Sequence, residues 1–425
     1  MATNKLYRDC GCNRRDFMRQ GLYGIGVTAA LPWVFRDSST ALAMQALAGG
    51  QETHPDRIMV VLELSGGNDG LNTVVPYGND EYYQLRPSLA VPARAVLPID
   101  DDLGFNPQLR GLRQLYDEGQ VAIINGCGYP NPSMSHFTAM DWWHSAVPHQ
   151  SEQLGWVGRL ADAVRPTPQE NFIVNITTKM ANAVQAGVHA PVVFNDPDRF
   201  QRQGSDTALM AAKELDAKMP DAAAGGALGF VESISRNAAT GSVLVREAIG
   251  SYSTPVDYGD GGDSTSLPKV AALIDGGLPT RFYYINYGGF DHHSNQDASH
   301  TRLLLGLGDA LKGFFEDMER IGRADDVAMM IFSEFGRRPG QNASDGTDHG
   351  TAGPMFILGK HVTGGLYGAY PSLTDLDVIF GYEDGNLKFT TDFRRVYATM
   401  IKEWMGYDDT DTLLRGDFAP LGVFA

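Results

Sequence analysis

The sequence predicts an α/β fold: a largely parallel central sheet with helices on both faces and a mainly helical insertion. Three observations predict it. Short apolar runs without polar alternation recur along the chain, as strands buried on both faces require. Segments with apolar residues at helical spacing separate them. Gly-rich polar sequence follows several of the runs, as it does at the loop edge of a parallel sheet.

The expected strands, in order, are "RIMVVLEL" (57–64), "QVAIING" (120–126), "NFIVNIT" (171–177), "PVVF" (191–194), "RFYYINY" (281–287), "DVAMMIF" (326–332) and "PMFILG" (354–359). Helices are expected at "NPQLRGLRQLYDEG" (106–119), "SHFTAMDWWHSA" (135–146), "LPKVAALIDGGL" (267–278), "HTRLLLGLGDALKGFFEDMERIG" (300–322) and "TDFRRVYATMIKEWMG" (391–406). Residues 195–266 are rich in Ala, Gly and Asp and carry no strong strand signal. They are expected to form a helical insertion or cap on a single domain spanning 44–425.

The first 43 residues are expected to be a twin-arginine signal. Arg14 and Arg15 precede Phe17, an acid-free apolar stretch runs from Gly21 to Phe35, and Ala41 to Ala43 offer small residues to a peptidase. The stretch is short of the ~20 apolar residues of a membrane span. The expected destination is the periplasm or the exterior, reached in the folded state. No later run is long enough to cross a membrane. Of the three cysteines, Cys10 and Cys12 lie in the signal, so Cys127 alone remains and no intrachain disulfide can form.

Net charge is −17, and loss of the signal makes the chain more acidic still. That argues against nucleic acid, which needs a basic footprint. It leaves room for a local cationic pocket. Oligomeric state has no signal in the sequence.

Polar residues cluster where four expected strands end. "SGGNDGLNT" brings Asp69 and Asn72; "CGYPNPSMSHF" brings Ser133, Ser135 and His136; "GGFDHHSNQ" brings Asp291, His292 and His293; "SEFGRR" brings Glu334 and Arg337. His349 joins from the connection into "PMFILG". In a parallel sheet these endings share one edge, where diverging loops leave a crevice. Each piece also has a plainer use: an Asp turn at Asp69, a helix cap at Asp291 or Ser294, a buried ion pair at Glu334, an N-cap at Ser135.

Carboxylates and imidazoles without thiolate suit a hard or borderline divalent cation such as zinc, manganese or calcium. Asp69, Asp291, His293, Glu334 and His349 would make one shell, or two partly shared ones. Two ions roughly 4 Å apart clamp an anionic ester and activate a hydroxyl. Arg337 would grip a phosphoryl or sulfuryl oxygen, helped by Asn72. Ser135, at the positive end of a helix, would supply the hydroxyl. The chain carries no phosphate-binding P-loop, no H-E-x-x-H helix and no G-x-S-x-G elbow.

Together "GGNDGLNTVVPYG", "YYQLRPSLAVP", "GYPNPSMSHFTAMDWW", "GGFDHHSNQ", "FSEFGRR", "GTDHGTAGPMFILG", "GGLYGAYPSL" and "TDFRRVYATMIKEWMG" form a pattern. The chain resembles the bacterial exported family known as domain of unknown function 1501. That family is similar to a distant branch of the alkaline phosphatase and sulfatase superfamily. The resemblance implies an alkaline phosphatase-like fold. It puts Asp69 at the first ligand position, Ser135 at the nucleophile, Asp291 and His293 at an Asp-His pair, and His349 at the late histidine. Glu334 stands where the superfamily ends a strand with Asp, and Phe335 replaces the ligand that follows. The expected function is an exported metal-dependent hydrolase of phosphate or sulfate esters. Its substrate would be a small anionic ester or a sulfated or phosphorylated polymer. The alternative is an exported binding or assembly protein that keeps the fold, with a structural ion at most.

Overall fold

The computed structural model describes residues 53–200, 240–261, 265–378 and 385–424. The expected signal and much of the expected insertion lie outside them. Nine strands form the main sheet: β1 (Ile58–Ser65), β2 (Val121–Gly128), β3 (Ile173–Ile176), β4 (Val192–Phe194), β5 (Phe282–Gly288), β6 (Val327–Phe332), β7 (Gly353–Gly359), β8 (Gly365–Tyr367) and β9 (Thr391–Asp392). All seven runs read as strands are strands. The order is β8-β2-β7-β6-β1-β5-β3-β4, with β9 also on β2. Among these, β7 alone runs antiparallel to its neighbours.

Among the described residues the α-helices are α1 (Asp80–Leu85), α2 (Arg110–Asp117), α3 (His136–Ser145), α4 (Trp156–Val164), α5 (Ser242–Ser251), α6 (Leu267–Asp275), α7 (Gln296–Arg320), α8 (Phe393–Thr399) and α9 (Thr410–Leu414). No helix among the described residues is long and apolar enough to cross a membrane.

The alternation of β1 shows why the sheet is buried on both sides. Ile58, Val60, Leu62 and Leu64 enter one core with leucines of α2, α6 and α7. Met59 and Val61 enter the other with Trp143, Trp156 and the apolar face of α8. Successive side chains point to opposite faces, so a strand covered on both must be apolar throughout. Trp143 and Trp156 are thus core residues, Trp143 stacked 4.2 Å from the ring of Phe393.

A buried imidazole ties the α4 end of the molecule to pH. His189 Nε2–H donates to the Arg165 carbonyl at 2.8 Å, and Nδ1 accepts the Gln169 N–H at 3.3 Å. Both nitrogens are used in the neutral form. Burial pushes the His189 pKa down to about 4 from 6.5. Above 6.5 both folded and unfolded chains hold it neutral. Between 6.5 and about 4 the unfolded chain takes a proton that the folded chain refuses, so stability falls as pH falls. The expected loss across that window is ~3 kcal/mol at most, and His189→Asn should remove it. Denaturant unfolding at pH 7 and pH 4.5 checks this.

Candidate metal centre

β1, β2, β5 and β6 are mutually parallel, so their C-terminal ends share one edge. β7, running the other way, starts there. The connection from β6 to β7 folds back on itself. Arg337 and His349 form an isolated antiparallel bridge, Arg338 N–H donates to the Asp348 carbonyl at 3.0 Å, and Gly350 N–H donates to that of Gly336 at 2.8 Å. This return carries His349 over the edge it left at Glu334. Close backbone approach makes the packing possible. A Cβ on Gly66 would lie 2.5 Å from the Asp291 nitrogen, and Gly66 has φ +118°. Only glycine adopts that conformation readily.

Asp291 is the hub. Its Oδ1 lies 3.1 Å from His293 Nε2 and 3.2 Å from His349 Nε2, and its Oδ2 lies 3.3 Å from His136 Nε2. His293 and His349 approach each other at 2.9 Å between Nε2 atoms. Each imidazole is held from behind. His136 Nδ1 faces Glu334 Oε1 at 2.8 Å, His293 Nδ1 faces Asp348 Oδ1 at 3.2 Å, and His349 Nδ1 faces the Met134 carbonyl at 2.8 Å. Acceptors behind Nδ1 favour the Nδ1–H tautomer, which leaves the Nε2 lone pair pointing forward. Phe335 packs against two of the rings, 4.8 Å from His136 and 4.5 Å from His349.

The electrostatics agree. Burial acts against the Asp291 charge. The hydrogen bond and charge of Arg337 outweigh it and hold the carboxyl well below its usual range. Glu334, hydrogen-bonded to His136, raises that imidazole's pKa; burial lowers that of His349. The site is therefore a fixed carboxylate ringed by imidazoles.

The donor set fits a divalent ion. Donor atoms of His136, Asp291 and His349 all lie within 4.8 Å of one another. Lone pairs converging at such separations repel unless a proton or a cation lies among them. A tetrahedral shell with bonds of 2.0–2.1 Å has edges of about 3.3 Å, close to the contacts around Asp291.

The structure reassigns four residues that the sequence places in the site. Asp69 is buried beside Arg86, 2.6 Å from its Nη1, and accepts from Gln296 Nε2 at 2.5 Å. It sits in a neighbouring polar network, not against Asp291. Asn72 belongs to the same network: its Oδ1 accepts from Tyr82 and Arg86, and its Nδ2 donates to the Leu89 carbonyl. Glu334 is fully buried and accepts from the Gly66 and Gly67 N–H groups and from Ser333. It faces His136 and orients it. Arg337 is buried with its donors committed to the carbonyls of Gly66, Gly67, Phe290 and Thr347 and to Asp291 Oδ1 at 2.7 Å. It fixes Asp291 and leaves no fork for a substrate.

Ser135 is exposed at the head of α3, and its hydroxyl makes no capping bond. The capping use open to Asp291 and Ser294 is not taken: the N-cap position of α7 is Asn295, and no side chain caps it. Sequence reasoning placed His136 at the edge but left it out of the ligand set, and it missed Arg86. His136 carried the same signal as its partners, a polar group just past a strand, but stood in the shadow of Ser135. Arg86 follows α1, far from any strand ending.

Fold and site together define an α/β protein with an imidazole–carboxylate cluster at the C-terminal edge of its sheet. Residues 272–415 match the family described as protein of unknown function (DUF1501), the one its motifs resemble. No curated protein matches the chain. Among solved structures it is similar to a protein in the alkaline phosphatase superfamily from Vibrio parahaemolyticus, at 10% identity and TM-score 0.30, over 78% of this chain and 71% of that one. It is similar to the lipoteichoic acid synthase LtaP from Listeria monocytogenes, at 9% identity and TM-score 0.33, over 83% and 81%. The PsFucS1 sulfatase from Pseudoalteromonas sp. is similar at 13% identity and TM-score 0.31, over 81% and 70%.

Proposed function

We propose that the chain is an exported, divalent-ion-dependent hydrolase of phosphate or sulfate esters. The observation that carries this reading is the convergence of three imidazoles, each tethered through Nδ1, on the Asp291 carboxylate. His136, Asp291, His293 and His349 would hold the ion. Imidazole-rich donors suit zinc or manganese better than calcium, which prefers six to eight oxygens. Phe335 fills the space beside two of the rings, which favours one ion over two.

A bound divalent ion supplies charge and Lewis-acid polarisation at the ester oxygen. The chain supplies the rest. Glu334 and Asp348 orient two imidazoles, and Arg337 keeps Asp291 ionised and in place. Ser135, one residue before His136 and unengaged at the head of a ten-residue helix, is the candidate nucleophile. The positive end of that helix favours an anion beside it. Export rests on Arg14 and Arg15.

The second reading, a binding or assembly protein with a structural ion, is favoured by Phe335, which replaces a ligand with an apolar wall. One experiment separates the two. The purified chain is assayed on aryl phosphate and aryl sulfate esters, with added zinc or manganese and with chelator. Turnover that needs the ion and falls at least ~100-fold in Ser135→Ala is expected. Bound ion without turnover on any ester would establish the second reading.

A further inference from the structure

One buried cluster of titratable groups is not used by the ion centre. Glu63 on β1, Tyr284 on β5 and His144 in the last turn of α3 are all buried. His144 Nε2 lies 2.8 Å from Glu63 Oε2, and the Tyr284 hydroxyl bonds to both. Asn286 Nδ2 donates to the other Glu63 oxygen at 3.0 Å. Burial works against the Glu63 charge, and its contacts with His144, Tyr284 and Asn286 outweigh it. With Nε2–H directed at this carboxylate, His144 keeps a lone pair on Nδ1. That nitrogen has no partner among the described residues, and neither has Asn286 Oδ1. Two acceptors beside an ionised carboxylate are thus unspent.

These groups line a cleft of about 610 Å³ together with Asp141, Lys179 and Lys269. The two carboxylates balance the two lysines in number but not in depth. Glu63 is buried, and Asp141 stands one turn before His144 on the same face of α3. Lys179 is exposed and makes no hydrogen bond or ion pair among the described residues. Lys269 is half-buried and donates to the Asn195 carbonyl at 3.0 Å, which leaves two of its three N–H groups. The cleft therefore has an acidic, acceptor-rich floor and a basic mouth. Met140, Met180 and Phe137, the last 90% exposed, add apolar wall. A matching ligand carries an ammonium at one end, a carboxylate at the other and apolar groups between them. A single amino acid would leave most of the volume empty, whereas a short peptide with free termini meets each requirement.

We propose that this cleft binds a short peptide with both termini free. Its N-terminal ammonium donates to His144 Nδ1 and Asn286 Oδ1 beside Glu63, and its C-terminal carboxylate meets Lys179 and Lys269. Apolar side chains lie against Phe137, Met140 and Met180. The assignment is independent of the hydrolase reading.

The probe is the tripeptide Ala-Phe-Ala, compared with its N-acetylated and its C-amidated forms. Binding is measured by calorimetry on the whole chain in 0.15 M salt, with chelator present so that the peptide amine meets no bound ion. Each block is expected to weaken binding at least about tenfold, because it removes hydrogen bonds to a charged group. Lys179→Gln/Lys269→Gln should erase the preference for the free carboxylate and keep that for the free amine. Glu63→Gln should do the reverse. Scoring the two ends separately in each variant keeps loss of structure from imitating either result. No binding of the free peptide, equal binding of a blocked form, or end preferences untouched by these variants overturns the proposal.

Discussion

Asp291→Asn is expected to abolish stoichiometric retention of zinc or manganese and to lower ester turnover by more than ~100-fold. Asp291 is the one group within reach of all three imidazoles. Removing its charge takes away the anionic member of the donor set and leaves three imidazoles. Losing even an orienting partner behind a ligand costs roughly 10–100-fold in affinity or activity, so losing a ligand should cost at least as much. The fold should survive. Asp291 is 44% exposed, and Arg337 keeps its carbonyl partners without it. Metal analysis after dialysis, with unfolding curves alongside, separates loss of the ion from loss of structure.

Arg337→Met should do the reverse first: unfold the edge, and lose the ion as a consequence. Its guanidinium is the common donor to carbonyls of Gly66, Gly67, Phe290 and Thr347, drawn from the β1, β5 and β6–β7 connections. Methionine fills the volume and donates nothing. Buried acceptors left without partners cost about 1–3 kcal/mol each, and breaking a buried charge network typically costs 3–5 kcal/mol. A destabilisation of ~3–5 kcal/mol in denaturant unfolding is expected, against a small change in Asp291→Asn. Arg337→Lys should recover only part, because one ammonium cannot reach that spread of carbonyls. A variant as stable as the parent would show that Arg337 does not hold the edge together.

The two variants mark how much was legible in the sequence. The strands were, because burial on both faces leaves unbroken apolar runs such as "RIMVVLEL" and "DVAMMIF". The shared edge followed from their parallel order, and with it the meeting of Asp291, His293 and His349. What each polar side chain does there was not legible. Glu334 and Asp69 look like ligands in the sequence, yet backbone N–H groups claim one and Arg86 claims the other. Those partners come from chain separations of 268 and 17 residues. Arg337 reads as an anion clamp until its donors are seen spent on carbonyls. His136 and Ser135 are neighbours in the chain, but only the structure shows which of them turns toward Asp291. The extent of the insertion at 195–266 stays an expectation.

The central claim is that one divalent ion sits among His136, Asp291, His293 and His349. Anomalous scattering from crystals grown with zinc or manganese tests it most directly. The account predicts a peak within about 2.5 Å of Asp291 and of at least two of the three Nε2 atoms. No peak at saturating ion, or a peak beside Asp69 with the imidazoles undisturbed, would contradict it.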